Sequence, residues 1–241
     1  MGLTNYITLF KDSKFYLSLG RTLLYTVCTL PFRVIIPLLV AVLLCSKRVA
    51  GKSLTRTMVY IPVLMSALVV GITINWMFSQ EYGLVNFIIR SLGGTALEWS
   101  LNPRLATFVI AFASVWASIG FNMILYIGGI NSISNDLYEA ATIDGASGVQ
   151  AFFRITVPML APTTFMVVLL STVNLLKEYA LVQGITQGGP GLSTTFIIQY
   201  IFDKGFNQMQ YGYASAISTV VMIIFALIAF AQFKVNNGGE T

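Results

Sequence analysis

Residues 138–160 read YEAATIDGASGVQAFFRITVPML. The stretch lies between two long apolar runs, yet it carries Glu139, Asp144, two glycines and Arg154. Just upstream, Ser134 or Asn135 can cap a helix through DLYEAATI, with Asp136 and Glu139 near its positive end. Gly145 is free to take a positive φ and predicts the stop. Ser147-Gly148-Val149-Gln150 has the spacing of a capping box and predicts a second helix through QAFFRI. Pro158 then marks entry to the next apolar run. The spacing therefore predicts a helix–turn–helix over 134–158, with Leu137, Ala140 and Ala141 on one face. Small alanines beside a glutamate allow another protein to approach closely. An amphipathic connector lying on a membrane fits the same pattern.

The surroundings of this stretch are unusually apolar. Of 241 residues, 56% are hydrophobic and 10% charged, with a mean hydropathy of +0.79; soluble domains carry about 25% charged residues. In hydrocarbon every backbone N–H and C=O must be paired internally, which leaves helices or a closed barrel. The apolar runs are continuous rather than alternating, so an all-α polytopic membrane protein is expected. Five runs stand out, at about 22–45, 57–78, 105–130, 157–182 and 211–233, each near the ~20 residues a span needs.

Composition also removes whole classes of chemistry. The chain has no histidine, which excludes Ser-His and Cys-His nucleophilic catalysis and HExxH metal sites. Asp12, Asp136, Asp144 and Asp203 all fall outside the apolar runs, so no aspartate pair suits an intramembrane enzyme. Cys28 and Cys45 lack co-ligands and read as apolar filler. The +5 net charge suits membrane insertion and needs no nucleic acid. The connection SKRVAGKSLTR, 46–56, holds Gly51-Lys52-Ser53 but has Ser46 where a phosphate-binding loop needs its first glycine. It also follows an apolar helix rather than a strand, so it reads as a basic loop at the lipid surface.

Orientation follows the Lys/Arg bias of the loops. One side carries Lys47, Arg48, Lys52, Arg56, Arg154 and Lys234; the other carries Lys11, Lys14, Arg21, Arg90, Arg104 and Lys204. The tally is even, although the density of 46–56 favours the first side as cytoplasmic.

Glu139-Ala140-Ala141, three residues, Gly145, nine residues and then Ile155-x-Val157-Pro158 resembles the EAA loop of ABC-importer permeases, with Val157 in place of leucine. Thr186-Gln187-Gly188-Gly189-Pro190 is similar to the TxGGP loop of the carbohydrate branch. Further matching positions are Pro62, Asn75-Trp76-Met77-Phe78, Glu81-Tyr82-Gly83-Leu84, Asn102-Pro103, Tyr200-Ile201-Phe202, Gly205-Phe206 and Gly212-Tyr213-Ala214-Ser215-Ala216. The likeness runs over about 4–233 and resembles maltose, glycerol-phosphate and multiple-sugar permeases.

The resemblance implies a type I importer core, which normally has six spans; here five are expected, with the preceding one missing. It implies an extracytoplasmic stretch over 1–21, a transmembrane domain over 22–233 and a cytoplasmic tail over 234–241. It places the 134–158 segment in the cytosol, against a separate ATPase, with Glu139, Ala140, Ala141, Asp144, Gly145, Ile155 and Pro158 as coupling residues. The partners implied are an ABC ATPase dimer carrying ATP and Mg, a second permease subunit and an extracytoplasmic solute-binding protein, all at a prokaryotic cell membrane. This chain itself would hold no cofactor or metal and would be no enzyme. Gly188, Gly189 and Pro190 would touch the binding protein. The implied function is sugar import by alternating access. A glycerol-phosphate permease is the nearer alternative, and an ATPase-independent channel the more distant.

Sugar-binding groups in a span must point into the bundle, because polar groups facing lipid are costly. The third run offers Ser114, Trp116, Ser118, Phe121 and Asn122; the fourth offers Ser171, Thr172, Asn174, Lys177, Glu178 and Tyr179. At helical spacing Ser171, Asn174 and Glu178 form one stripe, as do Ser114, Ser118 and Phe121. By position Ala117, Ser118, Phe121, Ser171, Asn174 and Leu175 match the sugar-contacting stretches of the maltose permease. Hydrogen bonding between helices is the competing role for each. Arg33, between Pro31 and Pro37, is expected to pair with Glu178.

Overall fold

The computed structural model describes residues 3–46 and 51–237. The basic-loop residues Lys47 and Arg48, and the end of the 234–241 tail, lie outside the described residues. The described chain is helical, and its helices follow the apolar runs with instructive departures.

Helix α1 (Thr4–Phe10) precedes α2 (Ser13–Cys45), whose 33 residues make it ~50 Å long at 1.5 Å per residue. That exceeds a ~30 Å hydrocarbon core. The helix begins nine residues before the apolar run, so 13–21 is helical. Pro31 and Pro37 sit inside it, and Arg33 between them is buried, at 6% exposure.

The second run is not one straight span. α3 (Lys52–Leu64) and α4 (Ala67–Met77) meet at 101°. Pro62 withholds a backbone donor near the end of α3, and Ser66 is extended at the break. α5 (Leu84–Ser91) then leads to the uninterrupted α6 (Pro103–Asn131).

The polar segment folds as α7 (Asn135–Ile143), α8 (Gly148–Ala151), a π-helical turn (Phe152–Thr156) and α9 (Val157–Met159). α10 (Ala161–Leu176) departs from this second arm at 66°. Pro162 has no N–H to donate to the Pro158 carbonyl, so the ladder breaks where the sequence suggested continuity. α10 ends at Leu176, six residues short of the predicted run; α11 (Ala180–Ile185) and α12 (Ile197–Phe202) follow. A second π turn, Asp203–Asn207, leads to α13 (Tyr211–Asn237).

Among the described residues, α2, α6 and α13 are each long and apolar enough to cross a membrane, and the count reaches five if each bent pair is one span. Leu24, Val27, Leu39 and Leu43 on α2, and Met222, Leu227 and Phe230 on α13, face outward, as lipid-contacting surfaces do.

The residues group into two compact units. One comprises the residues before Leu30, Met65–Ala117 and the residues after Ser171. Its apolar core is Leu9, Phe15, Ile197, Tyr200, Tyr213, Ile217 and Val221. Here Gly71 on α4 meets Gly184 on α11 backbone to backbone; a Cβ on Gly184 would lie 2.9 Å from the Gly71 Cα. The other unit comprises Leu30–Leu64 and Ser118–Ser171, with Ala41, Leu44, Met123, Tyr126, Ile133, Leu160 and Val167 at its core.

Candidate functional site

The 134–158 segment is built as its residues dictate. Ser134 takes an extended conformation and its side chain accepts from the Asp136 N–H at 3.3 Å, which caps α7. At the other end Gly145 has φ +76°. The Gly145 N–H donates to the Thr142 carbonyl and the Ala146 N–H to the Ala141 carbonyl, the paired bonds of a Schellman motif. The capping box at Ser147 and Gln150 closes both ways, at 3.3 and 2.8 Å. A 2.9 Å hydrogen bond joins the Tyr138 and Thr156 hydroxyls, tying α7 to the second arm. Tyr138 and Ile155 pack against the core cluster of the second unit.

No residue of α7 is buried. Glu139, Ala140 and Asp144 are exposed and Ala141 is half-buried, while Ile143 is 86% exposed. An apolar side chain so uncovered beside two alanines and a carboxylate makes a short helix with its whole outer face open. Pro158 lies exposed within α9, in the second arm rather than at the start of α10.

The 186–195 loop is built the other way. Thr186 and Thr194 share a 2.7 Å hydroxyl contact, and Thr194 also donates to the Gly189 carbonyl at 2.6 Å. The Thr195 hydroxyl donates to the Gly188 carbonyl at 3.2 Å. Gly188 is buried with φ +94°, and a Cβ there would meet the Thr195 Oγ1 at 2.8 Å. Gly188 therefore shapes the loop and is not at its surface, contrary to the contact role expected of it. Gly189 and Pro190 are half-buried, and Gln187, Gly191 and Leu192 form the exposed crest. The Arg21 guanidinium donates to the Leu192 carbonyl, and the Thr22 hydroxyl accepts from the Ile197 N–H at 2.8 Å.

A carboxylate that the sequence left in a loop anchors this region. Asp12 accepts from the hydroxyls of Tyr200 and Tyr213, each at 2.5 Å. Burial alone would raise the Asp12 carboxyl, but those two phenols and the N–H groups of Lys14 and Phe15 hold it below its ordinary value. Burial and the adjacent Asp12 carboxylate push the Tyr200 phenol well above its ordinary value. Partners 188 and 201 residues apart leave no local signal in sequence.

The expected sugar contacts divide. Ser114, Asn122, Ser171 and Leu175 are buried within the chain. Asn122 donates to the Arg33 carbonyl at 2.9 Å and to the Ser171 hydroxyl at 3.2 Å, so both side chains serve as helix–helix hydrogen bonds. Phe121 and Asn174 are exposed, while Ala117, Ser118 and Glu178 are half-buried. The stripe Ser171–Asn174–Glu178 does not exist, because α10 stops at Leu176; Glu178 instead accepts from the Leu181 N–H at 3.3 Å in the first turn of α11. The stripe on α6 does, but it runs from fully buried Ser114 to exposed Phe121. Among the described residues, no group of three or more acidic or cysteine side chains could hold a metal ion.

Comparison with known proteins fixes the family. The chain is 33% identical over 243 residues to the probable ABC transporter permease protein YurN of Bacillus subtilis (strain 168), covering 100% of this chain and 83% of that protein. It is 32% identical over 241 residues to the arabinooligosaccharides transport system permease protein AraP of the same organism, covering 98% and 76%. Its fold matches a subunit of a bacterial ABC transporter involved in the import of the acidic polysaccharide alginate. The TM-score is 0.89 at 24% identity, over 98% of this chain and 84% of that one. Residues 7–237 match the family model itself, and the chain belongs to the binding-protein-dependent transport system inner membrane components.

Proposed function

We infer a transport role: the protein is a multi-pass membrane permease subunit of an ABC transporter, a transport component rather than an enzyme. We propose that it imports a carbohydrate into a prokaryotic cell by alternating access, and that α7 is the lever through which a separate ATPase drives it. The observation that carries the proposal is a capped helix with no buried residue, ended by a Schellman turn and held to the chain's core through Tyr138 and Thr156. Glu139, Ala140, Ala141, Asp144 and Gly145 offer the outer face and its turn; Ile155 and Pro158 carry the movement toward α10. ATP and Mg sit on the ATPase dimer, with the 134–158 segment cytoplasmic. A solute-binding protein delivers the sugar on the opposite side, where a second permease subunit completes the path. Phe121 on α6 and Asn174 on α10 are exposed, and Ala117, Ser118 and Glu178 are half-buried; each is a candidate for solute contact.

Arabinooligosaccharide permease AraP among the relatives supports a carbohydrate substrate. The test is purification of the intact complex. An ATPase should accompany the wild-type chain, and Gly145→Trp should leave it attached while uptake is lost. Wild-type uptake by an assembled Gly145→Trp complex would overturn the lever.

A further inference from the structure

The first compact unit holds a polar cavity of about 370 Å³ that none of the roles above uses. That size falls within the ~300–1,000 Å³ of small-molecule sites. Lys14 and Arg21 come from the first turns of α2, seven residues apart and hence on one helix face, and Lys204 comes from the π turn after α12. Gln183, Gln187 and Gln199 supply amide groups, and the knotted 186–195 loop forms part of the rim.

We propose that this cavity binds an anionic polyol, a saccharide or glycerol derivative bearing a carboxylate or phosphate. Two independent observations fit that chemistry. First, the cations outnumber the acids. Asp203 also lines the cavity, but its two oxygens accept from the amides of Asn207 at 3.0 Å and Gln208 at 2.7 Å. Lys204 donates to Gln208 and lies over the rings of Tyr200 and Tyr213, and Arg21 donates to a backbone carbonyl. Among the described residues, no carboxylate oxygen lies within 4 Å of the charged nitrogens of Lys14, Arg21 or Lys204, and Asp12, which shares a second pocket with Lys204, is bound to the two tyrosine hydroxyls. Arginine suits carboxylate and phosphate oxygens because its fork can give two parallel hydrogen bonds.

Second, Gln199 is only 8% exposed, and its Oε1 has no hydrogen-bond partner. Its Nε2 donates to the Gln183 Oε1 at 3.3 Å. Flipping both amides exchanges the orphan oxygen for an orphan NH2, so one buried polar group stays unmet in either orientation. Gln199 lines the cavity, and the unmet end of its buried amide calls for a partner. A hydroxyl meets either end of the amide, because it both donates and accepts, whereas a fully ionised sulfate can meet only the NH2. A neutral sugar would satisfy Gln199 and leave the cations unmatched. A ligand with both hydroxyls and a negative charge satisfies both.

The inference deepens the carbohydrate reading and rests on it, but its test needs neither ATP nor uptake. Trigalacturonate, glycerol 3-phosphate, maltotriose and sulfate are titrated against the purified transporter without binding protein, and affinity is read by saturation-transfer NMR. Trigalacturonate or glycerol 3-phosphate should bind at least tenfold tighter than maltotriose and sulfate, and the tighter of the two identifies the anionic group. Gln199→Leu should weaken that binding about tenfold. Lys14→Gln, at an exposed position that carries no fold contact, should weaken it about threefold and reduce its salt dependence. Equal affinity for maltotriose, or unchanged affinity in Lys14→Gln, overturns the proposal. So does a result in which no saccharide binds and the variants alter only the response to the binding protein; the cavity would then hold a protein side chain. Failure of an ATPase to co-purify would instead defeat the transport reading and leave this titration interpretable.

Discussion

The two polar segments of the chain, 134–158 and 183–210, are of similar length, and both turn on glycines at positive φ, yet they are built on opposite principles. In the first, a Cβ on Gly145 would meet nothing within 4 Å, and no side chain of α7 is buried. In the second, Gly188 is enclosed by Thr195 and Gln199, and Thr194 and Gln199 are buried. One segment satisfies its backbone with local caps and leaves its face for something else to cover. The other spends its polar groups on itself. The difference teaches that a glycine-rich polar loop in a membrane protein is not by that fact a contact surface; the destination of its side chains decides.

The comparison can be broken experimentally. The largest effect is expected at Gly145→Trp, with uptake falling at least about a hundredfold, the equivalent of ~2.8 kcal/mol, while folding by circular dichroism is preserved. Gly188→Ala should cost about 2 kcal/mol in thermal unfolding, because positive φ and a tight contact act together. Gly145→Ala carries the φ penalty alone, about 1 kcal/mol. Equal costs for the two alanine variants would erase the distinction between open and enclosed glycines. Ser147→Ala removes one half of the capping box and should destabilise the second arm by about 1 kcal/mol, read by hydrogen exchange at Gln150.

The smallest effect is one of pH. Asp12 is held below its ordinary value of 3.8, so its contribution is fully present above pH 3.8 and is lost only as pH falls through the lower, folded value. The Tyr200 phenol is shifted upward, so its contribution is present below pH 10 and declines as pH rises beyond that. Tyrosine absorbance during titration should show the first change in the wild type and not in Asp12→Asn.

Short-range structure was legible in the sequence. Ser134, Gly145, Ser147 and Gln150 each act within four residues of a partner, so their spacing carried the helix–turn–helix. The spans were legible as apolar runs but not as shapes. The breaks at Ser66 and before Ala161 arise where prolines interrupt a ladder that hydropathy alone reads as continuous. The break after Leu176 removed Glu178 from its expected stripe, and burial turned Asn122 and Ser171 from contact candidates into internal braces. Gln199 and Asp12 gave no sign, because the groups that define them arrive from distant parts of the chain.

The glycine pair at Gly71 and Gly184 sets a mechanical condition on this first unit. With the α4 and α11 main chains in direct contact, no side chain lies between them to rotate, compress or change rotamer. A push on one is therefore delivered to the other without slack, as through a rivet. A single added methyl at either position would loosen the joint before it disturbed any polar group.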